Sequence, residues 1–322
     1  MPFVNDQRYR EDFMHRYILL TLVVIFSLAS LSLGVISFEE TTMHILVQSR
    51  LPRTISILIS GMSLATAGAI MQLLTSNRFV TPTTGSTTEW AKLGLLIILI
   101  WTPQASVVTK TLFSFAFGFA GTISFLFIIK RIKLKEATLV PLVGIIYGNI
   151  IASIATYLGY QHDLIQSIQS WTQGTFALIL KGRYEVLYLS IPCLIVAMLY
   201  ANRFTLISMG REISISLGVR YQATLYVGLL IVSTISALVL VTVGVIPFIG
   251  LVVPNMVTLY RGENLEQNIT TIALLGGLFL LACDIISRLV LHPFEIPISV
   301  TASIIGCLLF ILLIVGRRRH AA

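Results

Sequence analysis

Charge is what this 322-residue sequence has least of. Asp, Glu, Lys and Arg together make up 11% of it, against 56% hydrophobic residues, and the mean hydropathy is +0.91. So little polar surface cannot cover a soluble domain of this size, which leaves an integral membrane protein. The alternating ten-residue pattern of a spanning β-barrel is absent, so helices must do the spanning. Histidine is sparse: His15, His44, His162, His292 and His320 are scattered, no HExxH spacing occurs, and no directly bound metal is expected. Cys193, Cys283 and Cys307 lie far apart in apolar runs with no CxxC pair, which excludes a disulfide framework and predicts small buried hydrophobes. There is no GxxxxGK[ST] phosphate loop, so nucleotide cannot be cradled by this chain. Of its 14 acidic residues, only Asp284 falls well inside an apolar run. Membrane hydrolases and transferases need two converging carboxylates or a nucleophile with a base in reach; neither these nor a GxSxG turn is present. No catalytic residue is expected.

Ten apolar runs are present, at 17–36, 54–74, 88–104, 111–129, 137–158, 186–201, 222–243, 247–260, 269–291 and 298–315. Most are near the roughly 20 residues that cross a hydrocarbon core of about 30 Å. The third starts against Glu89 and Lys92, and the eighth is short and interrupted. The first is longer than a signal-peptide core and is read as a retained anchor. An even number of spans puts both termini on one side. With that side cytoplasmic it holds 16 of the 22 basic residues, leaving outside Arg50, Arg53, Lys110, Lys181, Arg183 and Arg288. This is the expected bias. It also accounts for the net charge of +8 without nucleic acid. The resulting layout is an all-α polytopic membrane protein: a cytoplasmic tail over 1–16, one transmembrane domain over 17–316 and a basic cytoplasmic tail over 317–322.

Four segments stand out. In SRLPRTISILISGMSLATAGAIMQ, residues 49–72, Arg50 and Arg53 stand at the mouth of a span in which Gly61, Ala65, Gly68 and Ala69 recur at helical spacing. The small residues predict close packing against another helix rather than direct substrate contact. The cationic rim suits docking of an acidic partner. In the eighth span, Pro247, Gly250 and Pro254 predict a kinked or broken helix, which survives at membrane depth only where protein or a water-filled cavity covers it. Asp284 carries an insertion cost of roughly 2.5–3.5 kcal/mol. Arg288 follows it at i+4, which predicts an intramembrane ion pair, or else a pathway or docking role in which Arg288 joins the rim of Arg50 and Arg53. Between spans six and seven, Gly210 and Gly218 bracket a stretch whose Ile213 and Leu217 share a face while Arg211 and Glu212 stay polar. This reads as a short helix across the loop or as an ordinary connector.

Together RLPRT (50–54), GAIMQ (68–72), GREISISLGV (210–219), VGVIPFIGLVVPN (243–255) and the segment from Gly276 to Ile314 resemble the iron-siderophore and cobalamin permeases of type II ABC importers, the FecCD family. The resemblance covers residues 50–316. It implies a permease of about ten transmembrane helices, without enzymatic activity or a cofactor of its own, in the bacterial inner (plasma) membrane. The implied partners are a second permease subunit, identical or a paralogue, two ATPase subunits that use ATP, and a periplasmic or lipid-anchored substrate-binding protein. By the same resemblance, Arg50 and Arg53, with Arg288 third, are salt-bridge partners for that binding protein. The segment from about 209 to 218 is implied as the coupling helix for the ATPase, with Gly210, Arg211, Glu212, Ile213, Ser216, Leu217 and Gly218 as its residues. Spans five and ten would line the route, with Thr301 and Ser303 as pathway candidates. NRFVTPTTGSTT at 77–88 and Asn255 depart from the common pattern, and the chain looks most like the ferric catecholate-type branch. The implied cargo is a ferric siderophore; alternatives are cobalamin or haem in the same architecture, or an ion-coupled secondary carrier.

Overall fold

The computed structural model describes residues 3–33, 43–132, 139–291 and 293–320, without the side chains of 3–13, 15 and 316–320. Lys133, Lys135 and His292, the outer edge of the first span and the start of the fifth therefore lie outside the described residues, as do the side chains of Arg8, Arg10, His15, Arg317, Arg318, Arg319 and His320. The helices are α1 (Phe3–Ser32), α2 (Met43–Ile45), α3 (Leu51–Leu74), α4 (Thr87–Trp101), α5 (Val107–Ile132), α6 (Leu139–Gln161), α7 (Ile165–Thr172), α8 (Ser190–Ser208), α9 (Arg211–Ser216), α10 (Tyr221–Thr242), α11 (Ile249–Arg261), α12 (Leu265–Leu289) and α13 (Ile298–His320). A π-helical turn, Leu46–Arg50, leads into α3, and a 3-10 turn, Glu185–Leu189, into α8. Each predicted span corresponds to one long helix. Helical backbone also runs into both stretches expected as tails, to Phe3 and to His320.

Seven of these helical stretches are long and apolar enough to cross a membrane. With 15 and 13 residues, α4 and α11 are not; at 1.5 Å per residue they reach only about 20 Å. Irregular chain makes up the difference and is buried in protein, the condition under which such chain is tolerated at membrane depth. Residues 75–86, between α3 and α4, fold inward on side-chain hydrogen bonds: Asn77 Oδ1 accepts from the Phe79 amide at 2.9 Å, and Thr84 Oγ1 from the Thr81 amide at 2.8 Å. The approach to α11 turns at Phe248, whose φ is +66°, and pairs with residues 172–175 through Val245 N–H to the Thr172 carbonyl (3.0 Å) and Thr175 N–H to the Val243 carbonyl (3.0 Å).

The central post is α3, which packs against α1, α8, α10, α11 and α12. Its small-residue face does what its spacing predicts. A Cβ built on Gly61 would lie 2.5 Å from the Gly276 carbonyl oxygen of α12, and one on Gly68 would overlap the Gly250 backbone of α11. Backbone thus meets backbone at two levels. By contrast α6, α8 and α13 keep most of their surface exposed. That outward face corrects the reading of Cys307: it is exposed on α13, while Cys283 is buried and Cys193 intermediate.

Candidate functional site

Two ends of the bundle carry the singled-out residues. At one end, here the arginine end, α1 stops against α3 and α12, leaving the last carbonyls of α1 without helical donors. Two guanidiniums supply them. Arg50 Nη1 donates to the carbonyls of Leu31 (2.9 Å) and Ser32 (3.2 Å), and Arg288 Nη1 to those of Ser30 (3.0 Å) and Leu33 (3.0 Å). A cation there also complements the negative end of the helix dipole. Of the arginines expected at the rim, Arg50 is only 8% exposed and Arg288 7%. Both are turned onto backbone groups.

Asp284 is fully buried beneath them and pairs with Arg288 as its i+4 spacing predicts. It also takes a second cation. Arg53, 231 residues away in sequence, donates Nη2 at 2.8 Å and Nε at 3.2 Å to Asp284 Oδ1. Its remaining Nη1 reaches both carboxylate oxygens of Glu295, each at 2.9 Å. Glu295, in the link between α12 and α13, was not singled out from the sequence. The available signal was a carboxylate set between Pro293 and Pro297, on the side to which the count of basic residues assigned only six.

The opposite end carries α9. Gly210 and Gly218, at φ +100° and +79°, take the left-handed turns that set α9 apart from α8 and α10. Ser214 is buried and ties the short helix back by donating to the Leu206 carbonyl at 2.9 Å. Ile213, Ile215 and Leu217 are left 52%, 54% and 56% exposed, with Arg211, Glu212 and Ser216 also facing out. The short-helix reading, not the plain connector, is therefore what forms. The same end holds the Arg78–Glu263 ion pair, the Arg16 Nη2 bond to the Gln267 carbonyl (2.9 Å) and the Phe79–Phe310 ring contact. The start of the apolar part of α1 and the latter half of α13 thus lie towards one end.

Of the pathway candidates, Thr301 is buried with its hydroxyl on the Ile298 carbonyl (3.1 Å), and Ser303 is half-buried with its hydroxyl on the Ser299 carbonyl (2.6 Å). Among the described residues no three His, Cys, Asp or Glu side chains converge to hold a metal ion.

A profile of the FecCD transport family matches residues 16–316. The chain belongs to the FecCD transport family. It is 44% identical over 314 residues to the petrobactin import system permease protein YclN of Bacillus subtilis (strain 168), covering 95% of this chain and 99% of that protein. It is 37% identical over 275 residues to the ferric-anguibactin transport system permease protein FatD of Vibrio anguillarum, covering 85% and 88%. Among solved structures, an inward-facing metal-chelate type ABC transporter superposes with a TM-score of 0.79 at 25% identity, covering 94% of this chain and 99% of that one. This FecCD chain is a multi-pass transport permease rather than an enzyme.

Proposed function

We propose that the chain is the permease subunit of an ATP-driven importer that carries a ferric siderophore across the plasma membrane. Support for the cargo comes from similarity, over most of the chain, to permeases named for petrobactin and anguibactin. The observation that carries the mechanism is α9: a short helix held out from the bundle with three aliphatic side chains more than half exposed. Exposed apolar knobs of this kind mark a protein contact. In this reading the segment from Gly210 to Gly218, with α9 at its centre, is the coupling helix, the α9 end and both termini are cytoplasmic, and two ATPase subunits bind there. The substrate-binding protein docks at the arginine end, where Arg53 makes the contact and Arg50 and Arg288 hold α1 in place behind it. A second permease subunit, identical or a paralogue, completes the route along the exposed faces of α6 and α13, with Thr301 and Ser303 near it.

Proteoliposomes containing the complete importer test this directly. Uptake of radiolabelled iron supplied as ferric petrobactin should require ATP on the α9 side and the binding protein on the other. Uptake by the permease alone, driven by a proton or sodium gradient, would overturn it in favour of a secondary carrier. ATP-driven uptake of cobalamin or haem, with none of the iron chelate, would keep the architecture and replace the cargo.

A further inference from the structure

We propose that Glu295 is an internal placeholder for the docking partner's carboxylate: it occupies the solvent side of Arg53 in the resting permease and is displaced when the binding protein docks. The inference rests on docking at the arginine end and adds how that site is kept and released. The Arg53 guanidinium is divided between two carboxylates of different standing. Its Nε and Nη2 face Asp284, which is fully buried and also held by Arg288. Its Nη1 faces Glu295, whose side chain is 25% exposed. Removing one partner from a buried pair shifts an equilibrium about a hundredfold or more, whereas a pair whose carboxylate is open to water is screened and costs less to part. Only the Glu295 half is therefore exchangeable.

One donor of the cluster is left over: the buried Arg288 Nε finds no acceptor among the described residues. The exchange also has somewhere to act. Glu295 lies in the short link between α12 and α13, where the Ile296 amide donates to the Ser287 carbonyl at 3.2 Å and Pro297 directly precedes α13. Arg53 is thus a staple from α3 to the chain leading into α13, the helix that carries Thr301 and Ser303. Freeing Glu295 loosens that staple.

The test measures the affinity of the soluble form of this importer's substrate-binding protein for the complete transporter in nanodiscs. Glu295→Gln, which removes the competing charge and keeps the shape, should tighten binding about threefold to fivefold. Arg53→Gln should weaken binding, and the double variant should match Arg53→Gln alone. Equal or weaker binding by Glu295→Gln, or a gain that persists without Arg53, would overturn the placeholder while leaving docking at this end intact. Wild-type affinity in Arg53→Gln would instead remove Arg53 from the docking surface and the placeholder with it. Hydrogen exchange gives a second readout: the Ile296 amide should exchange faster once the binding protein is bound, and an unchanged rate would refute release of the link.

Discussion

The two ends of this permease hold their candidate site residues by opposite means. At the arginine end, polar groups are buried and paired with one another: Arg50 and Arg288 close the end of α1, and Asp284 sits fully buried between two guanidiniums. At the α9 end, apolar groups are exposed: Ile213, Ile215 and Leu217 stand in the open on a helix of six residues. Each inverts the usual inside and outside for its chemistry, at different risk. A buried charge that loses its partner destabilises the fold, while an exposed aliphatic that loses its partner merely stays wet. The arginine end is therefore held by its own pairs, and the α9 end is, in the proposed reading, left open for another protein.

The sharpest way to break this contrast is Asp284→Ala. It strands Arg53 and Arg288 in a buried site, and the expected loss is about 3–5 kcal/mol of stability, read as a large fall in the thermal midpoint of the purified permease in detergent. Replacing Arg53, Asp284 and Arg288 together by aliphatic residues should recover part of that loss, since no charge is then left unpaired. If the single variant melts with the wild type, the network is ornamental and the contrast fails. A smaller effect is expected midway between the ends. Gly68→Val drives a branched side chain into the Gly250 backbone of α11, and overpacking of this sort costs about 1–3 kcal/mol. Because α3 reaches from the arginine end towards the α9 end, this variant should impair both ATPase coupling and binding-protein docking, which separate assays on the reconstituted complex would register.

What the sequence made legible follows the same division. Hydropathy located a helix for each of the ten apolar runs, and the i, i+4, i+7 spacing of Gly61, Ala65 and Gly68 announced a close helix contact, because both signals are local. The Asp284–Arg288 pair was legible for the same reason. Contacts that join distant residues were not: Arg53 meets Glu295 across 242 residues, and no spacing rule reaches that far. The burial of Arg50 was hidden in another way, since its partners are backbone carbonyls at the end of α1, which carry no side-chain signature. Helix α7, Ile165–Thr172, was missed because its Gln and Ser residues break the apolar run that marks a span.

The smallest effect on stability and the most telling one on function are expected together at Leu217. Its side chain is 56% exposed, so Leu217→Asp buries no new charge and should change stability by no more than about 0.5 kcal/mol, the usual range for a surface site. At an interface, the same carboxylate would be desolvated, a cost of about 1–3 kcal/mol or more for a group left unpaired. The variant permease should therefore melt with the wild type, while its complex with the ATPase either weakens or hydrolyses ATP without moving cargo. Ser214→Ala provides the internal control: it touches no partner but removes the bond to the Leu206 carbonyl that holds α9 in place, costing about 1 kcal/mol. If the Asp at 217 leaves transport per ATP unchanged, α9 is a surface feature and the α9 end loses its claim as the driven face.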